Sequence, residues 1–284
     1  MILAHGQFDL LEKLITALDD ERNDIFLHID AKVRDFDFEH FASLPKHSNL
    51  FFTEKCENIK WGSFAMVRAE YGLLEKAFEQ NKEYEYFHLI SGVDLPLKNQ
   101  DEMHEFFNSQ GKEFIHFTRA ELNSTELDRY RAYHFAMGRR TLINRVITKS
   151  ESKLSHLFGI NRIRNLKVQK GSQWFSITGD FVKYIIEKKD FVFKQFNHTF
   201  VPDESFVQTL LINSPFIENL YHPEFDNSAQ MNMRYSDWQR GTPYTFRKED
   251  FDELNNCGCL FARKFDLSVD SEIVDLILNG IKND

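Results

Sequence analysis

Three groups of polar residues in this sequence have the types and spacing for chemistry. Asp35-Phe36-Asp37 is a D-x-D, and two carboxylates so placed can share a divalent cation that carries a diphosphate. The run lies in a polar stretch leading into a helical pattern, where acids commonly occupy the first turn, so surface helix entry is the preferred reading. Pro202-Asp203-Glu204 opens a second helical pattern through Phe206, Val207, Leu210 and Leu211. Acids there complement the helix dipole, and the same position would keep a carboxylate ionised and ready to accept a proton. The third group is dispersed: His5-Gly6, Asp30-Ala31-Lys32 and Ser91-Gly92-Val93-Asp94 each follow a short apolar run.

Several other chemistries lack their residues. There is no G-x-G-x-x-G, and Gly111-Lys112 lacks the upstream glycine and following hydroxyl of a phosphate loop. No G-x-S-x-G elbow is present. The eleven histidines show no zinc spacing, and His28 and His88 sit in apolar runs that read as core. Cys56, Cys257 and Cys259 are an odd number without a C-x-x-C framework and read as buried or incidental thiols.

The elements that must position these groups alternate in type. Ile2-Leu3-Ala4, Asp24 to Asp30, Asn49 to Thr53, Tyr86 to Ile90, Glu113 to Phe117 and Gln173 to Ile177 read as strands. Between them, Leu10, Leu11, Leu14, Ile15 and Leu18 make one helical face, and Phe64 to Phe78 and Met103 to Phe107 outline others. Phe181 to Ile186 reads as a further helix. Alternation of this kind predicts a mostly parallel sheet covered on both faces, with ligands at the carboxyl ends of the strands. The three dispersed polar groups fall at such ends. With no internal repeat or low-complexity linker, the chain reads as one domain, 1–284, with an α/β half (1–118) and a more irregular half (119–284).

Composition narrows the ligands. The chain has 284 residues, 35 basic against 44 acidic side chains, and a net charge of −9, which argues against general nucleic-acid binding. Phe outnumbers Tyr by 29 to 9, so most aromatic mass is core filling. The average conceals a segment: Asp128 to Lys170 carries eleven Lys or Arg against two acids, a net of +9 in 43 residues. A solvated crossover and an anion- or membrane-facing surface are both open readings of it. No apolar run is long enough for a spanning helix, and Met1 to His5 lacks the regions of a signal peptide, so the expected location is cytoplasmic, with peripheral contact at the inner membrane face.

Seven motifs in order resemble one family. Leu27-His28-Ile29-Asp30-Ala31-Lys32, Trp61-Gly62-Ser63, His88 to Leu97, Gly171-Ser172-Gln173-Trp174-Phe175, Val201-Pro202-Asp203-Glu204, Trp238-Gln239 with Gly241-Thr242-Pro243-Tyr244, and Phe261 to Asp266 are similar to the core-2/I-branching β-1,6-N-acetylglucosaminyltransferases, glycosyltransferase family 14. The resemblance implies a GT-A-type α/β fold, a Rossmann-like nucleotide-binding half and an acceptor half. It also implies an inverting, metal-independent enzyme that takes UDP-N-acetylglucosamine or UDP-xylose. No cofactor and no metal are then expected, only the donor substrate.

Roles follow the motif matches. Glu204 corresponds to the catalytic base. Arg247 and Lys264 correspond to the basic pair that faces the diphosphate in place of a cation, a use that suits an Arg fork and a compact ammonium. His5, Asp30, Trp61, Ser63 and Asp94 fall at donor and uridine positions; Trp238, Glu121, Arg129 and Arg131 fall at acceptor positions. The three cysteines leave the disulfides of the secreted animal enzymes without a counterpart, which points to a bacterial-type member. Its acceptor would be a carbohydrate, with a lipid-linked unit of a surface polysaccharide among the candidates. A metal-dependent transferase using Asp35 and Asp37 and a non-catalytic glycan-binding protein on the same fold are the alternatives.

Overall fold

The structure, a computed structural model, describes residues 1–108, 110–135 and 142–283. Its strands are β1 (Ile2–Ala4), β2 (Asp24–Ile29), β3 (Asn49–Phe52), β4 (Tyr86–Ser91), β5 (Leu95–Pro96), β6 (Phe114–Ile115), β7 (Phe175–Thr178), β8 (Arg234–Ser236) and β9 (Phe261–Arg263). The main sheet runs β3-β2-β1-β4-β7-β6. Its first four strands are parallel, and β7 and β6 add antiparallel pairs at one side. This is the mostly parallel, helix-flanked α/β plan expected from the alternation. A second sheet, β5-β9-β8, has no counterpart in the sequence pattern, because its strands are two or three residues long and carry no periodicity.

Alternation along each strand decides which side chains enter which core. Ile25, Leu27 and Ile29 of β2 join Leu10, Leu11, Leu14 and Ile15 of helix Phe8–Ala17 and Ile273, Val274 and Ile277 of helix Ser271–Asn283. Leu3 and Phe26 face the other way, against Val67, Tyr71 and Leu74 of helix Ala65–Phe78 and Phe181 and Ile185 of helix Gly179–Glu187. Both layers are aromatic-rich, which accounts for the Phe surplus. The two core histidines behave as read: His28 is fully buried and its Nε2 accepts from the Glu57 N–H at 2.9 Å, and His88 Nδ1 lies 2.7 Å from Ser176 Oγ.

Three local features bear on the sequence expectations. Asp37 caps helix Phe38–Ala42, its Oδ1 accepting from the His40 N–H at 3.0 Å, so this half of the D-x-D is helix entry. Pro202–Glu204 is a separate 3₁₀ turn, because Ser205 (φ −151°) breaks it from helix Phe206–Ile212. Glu204 therefore precedes the α-helix and is not in its first turn. Among its described residues, the basic segment includes the end of helix Ser124–Arg131 and all of helix Leu142–Leu157, with 136–141 outside the described residues.

Candidate active site

A cleft of about 1190 Å³ opens where β1, β2 and β4 end, and the dispersed polar groups meet on its wall. Ala4, His5 and Gly6 come from the end of β1, Asp30 and Lys32 from β2, and Ser91, Gly92 and Val93 from β4. Carboxyl ends of neighbouring parallel strands converge by construction, so residues far apart in sequence become neighbours.

Positive charge gathers on this part of the wall. Lys32 Nζ is 3.1 Å from Asp30 Oδ2 and also donates to the Ile59 carbonyl at 2.7 Å. His5 reaches solvent, yet the surrounding walls exclude enough water to lower its pKa; Asp30 opposes that shift, and Lys32, Lys264 and Arg263 reinforce it. Arg263 lines the cleft with its guanidinium 4.6 Å from the Trp174 ring centre and its Nε 3.6 Å from Asp94 Oδ1. Asp94 is buried and accepts from the N–H and hydroxyl of Ser91 at 2.9 and 2.5 Å. It shapes the β4 loop and neighbours Arg263, and it does not line the cleft.

The 3₁₀ turn supplies the carboxylate. Glu204 Oε2 lies in the cleft, 3.4 Å from Arg129 Nη1 and 3.6 Å from Lys170 Nζ. Behind it, Asp203 is buried, and burial followed by the Glu204 charge pushes its pKa up to about 7. Glu70 is buried too; its Oε1 accepts from Gln173 Nε2 at 2.7 Å, and burial raises its pKa well above the usual carboxylate range. Burial thus favours the protonated form of Asp203 and Glu70, while Glu204 stands in the cleft with two cations beside it.

Backbone features hold the turn in place. Val201 takes a left-handed conformation (φ 54°) although it is β-branched and precedes proline, which costs on the order of 1–3 kcal/mol. Burial and a 2.9 Å bond from its N–H to the Gly62 carbonyl hold it there, joining the turn to Trp61-Gly62-Ser63. On the other flank, the Gly171 N–H donates to the Glu204 carbonyl at 2.8 Å. A Cβ on Gly171 would fall 1.6 Å from the His116 carbonyl oxygen, so only glycine fits.

A loop carrying Trp238 completes the cleft. Arg240 ties this loop down: it pairs with Asp237, with Asp250 at 2.6 Å and with Glu253 at 2.8 Å, and lies 4.4 Å from the Tyr244 ring centre. The Trp238 side chain stays 66% exposed on the cleft wall, free to meet a ligand face.

Of the residues singled out in the sequence, His5, Asp30, Trp61, Glu204 and Trp238 line the cleft, and Arg129 contacts Glu204. Lys264 is half-buried beside Arg263, with its charge felt by His5. The others lie off the wall. Ser63 is half-buried behind Trp61, and Glu121 is exposed in the loop before helix Ser124–Arg131. Arg131 pairs with Asp128 at 3.6 Å, and Arg247 is exposed with its N–H donating to Asp250 Oδ2. Sequence reasoning overlooks Lys32, Lys170 and Arg263, although each lies inside or directly beside a quoted motif.

The family model for the Core-2/I-Branching enzyme matches residues 1–255. The chain belongs to the core-2/I-branching enzyme family. Its similar proteins include Xylosyltransferase 2 of Rattus norvegicus, 24% identical over 295 residues that cover 98% of this chain and 33% of that protein. Xylosyltransferase 1 of Homo sapiens is 23% identical over 300 residues, covering 96% and 29%. The chain thus spans about a third of the length of these relatives. Among solved structures, the apo form of mouse xyloside xylosyltransferase 1 covers 92% of this chain and 96% of its own, with a TM-score of 0.35 and 13% identity.

Proposed function

We propose that the chain is an inverting glycosyltransferase that moves a sugar from a UDP-sugar to a hydroxyl of a carbohydrate acceptor. The observation that carries this reading is Glu204, a half-exposed carboxylate set in the strand-end cleft with Arg129 and Lys170 against it. Glu204 takes the acceptor hydroxyl proton while the oxygen bonds to the anomeric carbon. On the opposite side of that carbon the bond to the diphosphate breaks and UDP leaves with the electron pair. A positioned base supplies roughly 10²–10⁴-fold of the rate. Lys32, Arg263 and Lys264 neutralise the departing diphosphate without a metal, and preorganised cations of this kind stabilise charge as it develops. Lys32 and Arg263 take over part of the role that the motif match gives to Arg247. Trp238 offers its ring to the acceptor sugar.

The motif resemblance favours N-acetylglucosamine as the transferred sugar, whereas the names of the relatives favour xylose. The acceptor on this reading is a lipid-linked unit of a bacterial surface polysaccharide, met at the cytoplasmic membrane face. A panel of UDP-sugars, tested in EDTA for protection against thermal unfolding, decides the donor: a ligand at 100 times its Kd adds ~2.7 kcal/mol. One UDP-sugar is expected to protect in EDTA. Protection that appears only on adding manganese would refute the metal-free reading, and no protection by any UDP-sugar would refute the donor class.

A further inference from the structure

Helix Leu142–Leu157 packs inside out. On its inward side, Glu151 accepts from the Phe135 N–H at 3.0 Å and lies 3.2 Å from His134 Nδ1, and Ser155 is buried; His156, at the exposed edge, has its Nε2 3.0 Å from Asp128 Oδ1. Glu151 and Ser155 are thus polar residues set against the body of the protein. The outward side is apolar: Ile143, Val146, Ile147, Leu154 and Leu157, followed by Phe158, are between 38% and 77% exposed. At 100° per residue these six fall within one stripe about 120° wide, the width of a face that normally enters a core. Water-soluble proteins seldom leave so continuous an apolar stripe uncovered, and such stripes mark interaction surfaces.

Charge identifies what covers it. Lys149 and Lys153 are exposed on the same helix, and Arg164 and Lys167 are exposed just beyond it, within the segment of net charge +9. A second copy of the chain would bring two such segments together, like charge against like. An anionic bilayer surface satisfies both features, because the apolar stripe enters the headgroup boundary while the lysines meet lipid phosphates. No helix among the described residues is long and apolar enough to cross a membrane, so the contact is along the surface.

We infer that helix Leu142–Leu157 docks this protein onto anionic membranes. The helix is joined through the His156–Asp128 contact to helix Ser124–Arg131, whose Arg129 touches Glu204, so a docked bilayer lies one helix away from the carboxylate. Docking itself does not depend on the transferase reading; that a lipid-linked acceptor is delivered this way does.

The test is flotation of the full chain with vesicles of phosphatidylcholine containing about 30% phosphatidylglycerol, against phosphatidylcholine alone. The expected result is retention on the anionic vesicles at low salt, release by salt, and no retention on phosphatidylcholine. The variants Leu154→Ser/Leu157→Ser/Phe158→Ser and Lys149→Glu/Lys153→Glu, all at exposed positions, should each cut retention at least about tenfold while keeping the wild-type melting temperature. Failure of the wild-type to float, or unchanged flotation of the triple variant, would overturn the inference. So would a dimer in analytical ultracentrifugation that the triple variant dissolves without any vesicle retention. UDP-sugar protection measured on the same variants separates the two readings, since it should persist whether or not vesicles bind.

Discussion

Replacing Asp203 by Asn should flatten the pH dependence of stability. In the folded chain burial and the neighbouring Glu204 raise this carboxyl from an ordinary value of 3.8 to about 7. A group with a raised folded pKa favours the folded state fully when both states are protonated, at pH below about 3.8, and loses that contribution as pH rises toward about 7. Above about 7 it has lost all of it. A tenfold change in proton affinity is worth about 1.36 kcal/mol, so Asp203 withdraws at most about 4 kcal/mol of stability between those limits. Glu113, buried and raised to about 7, acts in the same direction, as does Glu70, so the wild-type slope has several sources. The difference between wild-type and Asp203→Asn isolates one of them. Urea denaturation at half-unit intervals from about pH 4.5 to about 7.5 measures it. The variant should gain on the wild-type steadily across this range, by roughly 3 kcal/mol in total. Parallel curves for the two proteins would show that Asp203 is charged throughout and that burial does not raise its pKa.

Two further substitutions probe how the site is built. Gly171→Ala forces a Cβ against the His116 carbonyl and should cost about 3 kcal/mol, seen as a fall in denaturation midpoint, with displacement of Glu204 through the lost Gly171–Glu204 backbone bond. Wild-type stability would contradict the close approach. Arg263→Gln removes a guanidinium beside the strand ends and should weaken UDP by about 10- to 100-fold in titration calorimetry, the worth of one charge-assisted hydrogen bond. An unchanged Kd would place the diphosphate elsewhere.

Much of the α/β half is legible because its signals are local. Helix Phe8–Ala17 and strands β1 to β4 are one-sided or uniformly apolar, and polar residues punctuate the carboxyl ends that become the cleft. The second half is legible only through motifs. Strands β5, β8 and β9 are held by partners remote in sequence, as Leu95 is by Ala262 and Tyr235 also is by Ala262, and their own composition carries no period. The break after Glu204 comes from the Ser205 backbone, which pattern reasoning cannot see. Charge placement is equally invisible to pattern reasoning. Arg131 pairs with Asp128 and Arg247 is exposed with its backbone N–H on Asp250, whereas Arg263 is turned inward over Trp174. In the basic segment the composition is plain, but the outward direction of its apolar residues becomes visible only when Glu151 and Ser155 are seen facing in.

The transferase account stands or falls on Glu204. Glu204→Gln keeps the shape of the side chain and gives up two partly exposed ion pairs worth less than about 1 kcal/mol each, so folding and UDP-sugar protection should persist. With the protecting donor and a competent acceptor, UDP release should fall by roughly 10²–10⁴-fold. Release at the wild-type rate would contradict the claim that this carboxylate takes the acceptor proton.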